Sequence, residues 1–268
     1  IDTNVPIGAG LSSSAAVECA VAVALNDLWD LGASPMDLAR AGQKAENEMV
    51  GAPTGLMDQI ASMHGRDDSV VFIDCRVPSV DVVPFALEAH DLAVLVMNSR
   101  VHHSHATGGY GERRAACERA AEVLGVPALR DVSISRLAEL RELVDDATFR
   151  RARHVVTENA RVEHVVAVLR ESGPTAIGGI LVESHLSMRD DFEISVPQID
   201  CAVETALANG AIGARLTGGG FGGAAIALAP RSALDAIESA VRTAFAAHNF
   251  DEPEMFVVAP SDGARRLA

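Results

Sequence analysis

The segment PIGAGLSSS, residues 6–14, sets two glycines and three consecutive serines directly ahead of an alanine-rich run. Gly8 and Gly10 let the backbone approach a ligand closely and take positive φ. A helix that starts behind them presents free N–H groups and a partial positive charge, a combination that binds phosphate. Ser12, Ser13 and Ser14 add hydroxyls suited to phosphate oxygens or to Mg²⁺. The lysine of a G-x-x-x-x-G-K-[ST] loop is missing, so the segment is either another kind of phosphate cradle or a turn with a serine N-cap. A second glycine-dense stretch, LTGGGFGG at 216–223, holds five glycines in eight residues. A hairpin needs one or two, so this backbone either approaches a ligand closely or is a loose loop.

Two acids lie between the glycine stretches, in KAENEMVGAPTGLMDQIAS, residues 44–62. Glu46 shares a helical stripe with Ala39, Gly42 and Met49, either at its exposed edge or as an inward-facing ligand. Asp58 stands among Met57, Ile60 and Ala61, just past a glycine-proline turn. It is either a surface acid or a rigidly held base. His102, His103 and His105 lack a second cluster to complete a metal site, and a solvated or substrate-shaping loop is the favoured reading. Arg189, Asp190 and Asp191 read as a structural ion-pair network with no catalytic role.

The 268 residues carry a net charge of -15, which argues against a nucleic-acid surface. An anionic substrate must then be met by local structure such as helix N-termini or a metal. With 49% hydrophobic and 22% charged residues, the chain has the make-up of a globular protein with a real core. No apolar run reaches the roughly 18 residues of a membrane span, and no signal peptide is visible, so a cytoplasmic protein is expected. Cys19, Cys75, Cys117 and Cys201 form no C-x-x-C pair and read as reduced thiols, without zinc or disulfides.

These residues need elements to hold them. Residues 1–5 read as the end of a strand. Ser14 to about Leu28 reads as a helix, apolar nearly all round and hence buried. A second helix has Ser34 as N-cap, Pro35 in its first turn and Gly51 past its end. A short third helix runs from about Gly55 to Met63. SVVFIDC and LAVLVMNS read as strands, and one long helical stretch follows from Gly111. A helix over Pro197–Asn209, strands on both sides of LTGGGFGG, an amphipathic helix and a final strand in EMFVVAP complete the reading. The fold class is α+β. Residues 1–88 form an N-terminal α/β domain, and residues 89–268 form a ferredoxin-like C-terminal domain with helices on one face of an antiparallel sheet.

The chain resembles the galactokinases, of the kinase superfamily named for galactokinase, homoserine kinase, mevalonate kinase and phosphomevalonate kinase. The resemblance is carried by PIGAGLSSSAA and LTGGGFGG together with GLMDQIAS, IDCR, NSRVHHSHATGGYGERRAACE, LRDV, FRRARHVVTEN and VESHLSMRDDFEISVPQID. It implies ATP-dependent phosphorylation of galactose at its 1-hydroxyl, giving galactose 1-phosphate and ADP, by a monomeric enzyme of galactose metabolism. By the same resemblance Gly8, Ala9, Gly10, Leu11, Ser12, Ser13 and Ser14 cradle the ATP phosphates, with Gly218, Gly219 and Gly220 as the second loop. Ser14 and Glu46 hold Mg²⁺, and Asp58 is the base beside the 1-hydroxyl. Tyr110 contacts the sugar, and Thr54 with Gly55 lines its site. The family's opening pattern G-R-x-N-x-x-G-E-H-x-D-Y, which binds sugar hydroxyls, is absent from these residues. The resemblance therefore implies an N-terminally truncated and poorly active form. The alternative within the family is a non-catalytic sensor of galactose and ATP.

Overall fold

The computed structural model describes residues 1–6, 10–51, 54–101 and 106–267. Gly8, Ala9, His102, His103 and His105 fall outside these residues. The expected strand at residues 1–5 does not form. A strand needs a partner for its ladder, and no described segment pairs with it. Three helices come first: α1 (Ser13–Leu28), α2 (Pro35–Ala45) and α3 (Met57–His64). They meet around Cys19, Leu38, Ala39, Ile60 and Met63.

The start of α2 follows from its sequence. The Ser34 hydroxyl accepts the Asp37 N–H at 3.2 Å, and the Asp37 carboxylate accepts from Ser34, with Pro35 in the first turn. A π-helical turn, Glu46–Val50, extends α2 to Gly51. The expectation that α1 is buried all round fails. Only Ala15 and Cys19 are buried, whereas Leu28 is 73% and Trp29 61% exposed. Both neighbouring helices cover the side of α1 that carries Cys19. The opposite side faces solvent among the described residues.

A hairpin follows, β1 (Ser69–Asp74) antiparallel to β2 (Ser79–Pro84). Then come β3 (Leu92–Asn98), α4 (Ala106–Val123), α5 (Leu137–Leu143) and α6 (Asp146–Ser172). The single long helical stretch is thus three helices. Gly125 in the left-handed region follows α4, and Asp145 starts α6 by accepting the Thr148 N–H at 2.9 Å. The rest is α7 (Gly178–Ser187), a π-helical turn (Met188–Phe192), α8 (Pro197–Ala208), β4 (Gly213–Thr217), β5 (Ala224–Pro230), α9 (Leu234–Ala247) and β6 (Glu254–Val258).

Four strands form an antiparallel sheet in the order β4-β5-β3-β6. With α8 before β4 and α9 between β5 and β6, this is the ferredoxin-like βαββαβ arrangement; α4 to α7 enter between β3 and α8. One face packs Leu95, Met97 and Leu216 under Ile199, Ile237 and Phe245 of α8 and α9. The other face is not left open. Around Leu92 and Leu228 it is covered by Val83 and Phe85 of the hairpin region and Leu169 of α6. The continuous apolar run of β3 is what burial on both faces demands.

Beyond β6 the chain returns to α3, where Gly263 N–H donates to Gly65 O at 2.9 Å and Ala264 N–H to Ser62 O at 2.8 Å. None of the described helices is long and apolar enough to cross a membrane. The four cysteines are free thiols, and burial pushes Cys117 up to about 11.

Candidate active site

The first glycine-serine segment ends in an open helix N-terminus. Gly10 (φ 70°) and Ser12 (φ 56°) are both left-handed, and the Ser12 side chain caps nothing. The first turn of α1 carries no acidic side chain, so the partial positive charge of this 16-residue helix is not offset within its own first turn. The simple N-cap reading of the serines therefore does not hold for Ser12.

The second glycine loop reaches the first. A Cβ on Gly218 would lie 3.0 Å from Gly10 O, tighter than most real contacts, and residue 218 has φ 80°, so glycine eases this close approach of the two backbones. The loop is fixed at both ends. Leu216 N–H donates to His185 Nδ1 at 3.3 Å, and Ser99 donates its hydroxyl to Gly223 O at 2.7 Å. In its middle Phe221 has φ 60°, an outlying value for a bulky side chain. Phe221 N–H donates to Ile194 O, and the guanidinium of Arg113 lies 5.3 Å from the ring centroid.

Ile194 is held in turn by arginines. Arg113 donates to the carbonyls of Phe192 and Glu193 at 3.0 and 2.9 Å, Arg150 and Arg151 pair with Glu193, and Arg153 pairs with Asp191. Arg189 instead pairs with Asp190 and Glu204. The MRDD segment is thus an ion-pair network as expected, but most of its cations come from α4 and α6. Its effect is to seat the glycine loop.

The acids converge beside Ser14. The Ser14 hydroxyl donates to Glu46 Oε1 at 2.8 Å, and the Thr54 hydroxyl donates to Glu46 Oε2 at 3.1 Å. Asn47 Oδ1 accepts the Thr54 N–H at 3.0 Å. Gln59 Nε2 donates to Glu46 Oε2 at 2.9 Å and to Glu18 Oε2 at 3.0 Å. Glu46 stands where α2 passes into the π-helical turn, with ordinary helical dihedrals.

Asp58 is half-buried in the first turn of α3, next to Gln59. Gly55 is exposed in the turn ahead of it. Tyr110 sits on α4, 46% exposed, one residue after Gly109. A Cβ on Gly109 would strike the Phe221 ring at 2.7 Å, so α4 and the glycine loop are in direct contact there. No hydrogen bond among the described residues joins Tyr110 to Asp58. Ser14, Glu46 and Thr54 are thus brought together, Gly10 meets Gly218, and Asp58 and Tyr110 stand on separate helices. Glu18 and Gln59 were not anticipated from sequence. The available signals were a carboxylate inside the apolar α1 and an amide inside the apolar pattern of α3.

The hydroxyl of Ser14 and the carboxylate of Glu46 are hard oxygen donors of the kind Mg²⁺ takes. Among the described residues no cluster of three or more His, Cys, Asp or Glu side chains could hold a metal alone. This donor pair therefore suits an ion that takes its other ligands from phosphate and water.

Residues 1–66 match the GHMP kinases N terminal domain, and residues 165–247 match the GHMP kinases C terminal. A galactokinase from Streptomyces coelicolor is 53% identical over 267 residues, covering 99% of this chain and 69% of that protein. A galactokinase from Haemophilus influenzae is 45% identical over 271 residues, covering 99% and 70%. The crystal structure of Lactococcus lactis galactokinase complexed with galactose superposes with a TM-score of 0.93 at 31% identity, over 98% of this chain and 69% of that one. A homoserine kinase from Cytophaga hutchinsonii shares the fold, with a TM-score of 0.63 at 20% identity over 97% and 69%. The α+β architecture, the two glycine loops and these likenesses lead to one assignment: the chain belongs to the galactokinase family of the GHMP kinases.

Proposed function

We propose that this chain transfers the γ-phosphoryl group of ATP to the 1-hydroxyl of galactose, giving galactose 1-phosphate and ADP. The observation that carries the reading is the pairing of Ser14 with Glu46 at 2.8 Å beside the open N-terminus of α1, with Gly218 packed onto Gly10. Two backbone loops then meet at the end of α1 that carries this hydroxyl-carboxylate pair, and phosphoryl transfer requires more positioning and charge neutralisation than covalent chemistry.

In this reading the segment Gly8–Ser14 and the loop Gly218–Gly220 donate backbone N–H groups to the ATP phosphates. Ser14 and Glu46 would hold Mg²⁺, which would offset the phosphate charge. Asp58 orients the sugar's 1-hydroxyl and accepts its proton. The sugar oxygen bonds to the γ-phosphorus, the bond from that phosphorus to the bridging oxygen breaks, and ADP leaves with the electron pair. Tyr110, Thr54 and Gly55 line the sugar. The division into residues 1–88 and 89–268 belongs to the same proposal, supported by the distinct cores of α1–α3 and of the sheet with α8 and α9, while a third core joins Val83 and Phe85 to Leu92, Leu169 and Leu228 across residue 88. So does a monomeric, cytoplasmic enzyme of galactose metabolism, with ATP and galactose as its small-molecule partners.

The test is phosphorus NMR of galactose, ATP and Mg²⁺ with the full-length gene product that carries these 268 residues. A sugar-dependent phosphate ester at the anomeric position is expected. Binding of both ligands without any turnover would overturn the proposal in favour of a non-catalytic sensor.

A further inference from the structure

Gln59 has no part in the assignments above, yet it is the most enclosed polar side chain beside them, with 0% exposure. Its Nε2 donates to Glu46 at 2.9 Å and to Glu18 at 3.0 Å. Ionised carboxylates only accept, so both neighbours demand the NH₂ end and the amide's orientation is forced. Its Oε1 is buried without a hydrogen-bond partner among the described residues. Such an atom is costly, and its retention calls for a reason. The neighbourhood is built around this side chain. A Cβ on Gly42 would lie 3.3 Å from both Gln59 Cγ and Glu18 Oε2, so α2 leaves room with a glycine, and the Cys19 thiol donates to Gln59 O at 3.7 Å.

The two carboxylates come from different helices, Glu18 from α1 and Glu46 from the end of α2, and one nitrogen bridges them. Without that bridge two like charges would oppose one another within a few ångströms. With it, Glu46 is fixed on one oxygen by Gln59 and Thr54, while its other oxygen faces Ser14.

We propose that Gln59 is a positioning residue whose amide, anchored on Glu18, holds Glu46 toward Ser14 and so sets the metal-binding pair before a ligand arrives. The proposal rests on the reading of Ser14 and Glu46 as metal ligands. Neighbouring groups that orient a metal's ligands commonly change its affinity by 10–100-fold when removed.

The test is Mn²⁺ binding, followed by electron paramagnetic resonance, to the full-length gene product with a non-hydrolysable ATP analogue. Gln59→Met, which keeps the volume and removes the donors, is expected to weaken Mn²⁺ binding about 10–100-fold. Metal-free binding of the analogue should stay unchanged. Glu18→Gln keeps an acceptor for the amide and is expected to bind Mn²⁺ like the parent, whereas Glu18→Ala loses the anchor and weakens binding several-fold. Gln59→Asn, with the amide one carbon short, should fall between Gln59→Met and the parent, and it serves where Gln59→Met does not fold. Unchanged Mn²⁺ affinity in folded Gln59 variants, or in Glu18→Ala, overturns the inference. Loss of Mn²⁺ binding in a protein that never phosphorylates galactose would sustain the clamp while sinking the proposed reaction.

Discussion

The two glycine loops are delivered by opposite means. Gly218–Gly223 hangs between β4 and β5, whose strands are buried under α8 and α9 with Phe245, Ile237 and Ile199 fully enclosed. That packing, together with the Ile194 carbonyl and Arg113, holds Phe221 at a φ that costs about 1–3 kcal/mol. The serine segment instead stands on three short helices that share a small core around Cys19, Ile60 and Met63. Its side chains are fixed by a polar web of Ser14, Glu46, Thr54, Gln59 and Glu18. Apolar packing places the strands that carry the sheet loop, and the arginine pairs on Glu193 and Asp191 seat its middle through Ile194. The helical side is placed by charges and hydrogen bonds, so charge substitutions there act on chemistry more than on folding.

The sharpest test of that contrast is Asp58→Asn. Turnover should fall by about 10²–10⁴-fold, while calorimetry shows nearly intact Mg-ATP binding and the thermal midpoint stays put. A matching loss of nucleotide affinity would place Asp58 in the web rather than at the reacting hydroxyl. On the sheet side, Phe245→Ala removes a fully buried ring and should cost about 3–5 kcal/mol in urea unfolding. Met63→Ala in the smaller core should cost about 2 kcal/mol. If Met63→Ala proved the more damaging, the contrast would be inverted.

A third test uses pH. His154 is buried, stacked on Phe192 with centroids 4.5 Å apart, and burial pushes it down from 6.5 to about 4. Between those values the unfolded chain holds the extra proton and the folded one does not. Stability is therefore fully present above about 6.5 and is lost as pH falls toward about 4. At pH 5.5 the loss from this group should reach roughly 1–2 kcal/mol. Urea midpoints at pH 7.5 and 5.5, for the parent and a His154→Gln variant, read it out. A parent midpoint that does not move would refute it. The smallest effect is expected from Ser34→Ala, which breaks the α2 capping box and should cost about 1 kcal/mol. No change in unfolding would mean that the helix is held by its core alone.

Much of this was legible along the chain. Ser34, Pro35 and Asp37 announce the start of α2, because a cap is a local bargain among neighbours. The run LAVLVMN announces a buried strand, and the glycine stretches sit where a backbone approaches another closely. What failed was non-local. SVDVVP gave no recognisable strand because its order comes from pairing with β1, Val83 opposite Val70. The apolar circumference of α1 said nothing about which side its neighbours would cover. Gln59 meets Glu18 across 41 residues, and no local pattern encodes that meeting. The same holds for the arginines of α6 that seat Ile194.

The return of residues 263 and 264 to Gly65 and Ser62 sets an order in time. The last backbone partners of α3 are made about two hundred residues after the helix itself. Contacts of such separation close late and slow the folding of a chain. The helix that carries Asp58 is thus synthesised well before it is completed, so a nascent chain holds the acid before it holds the acid's place.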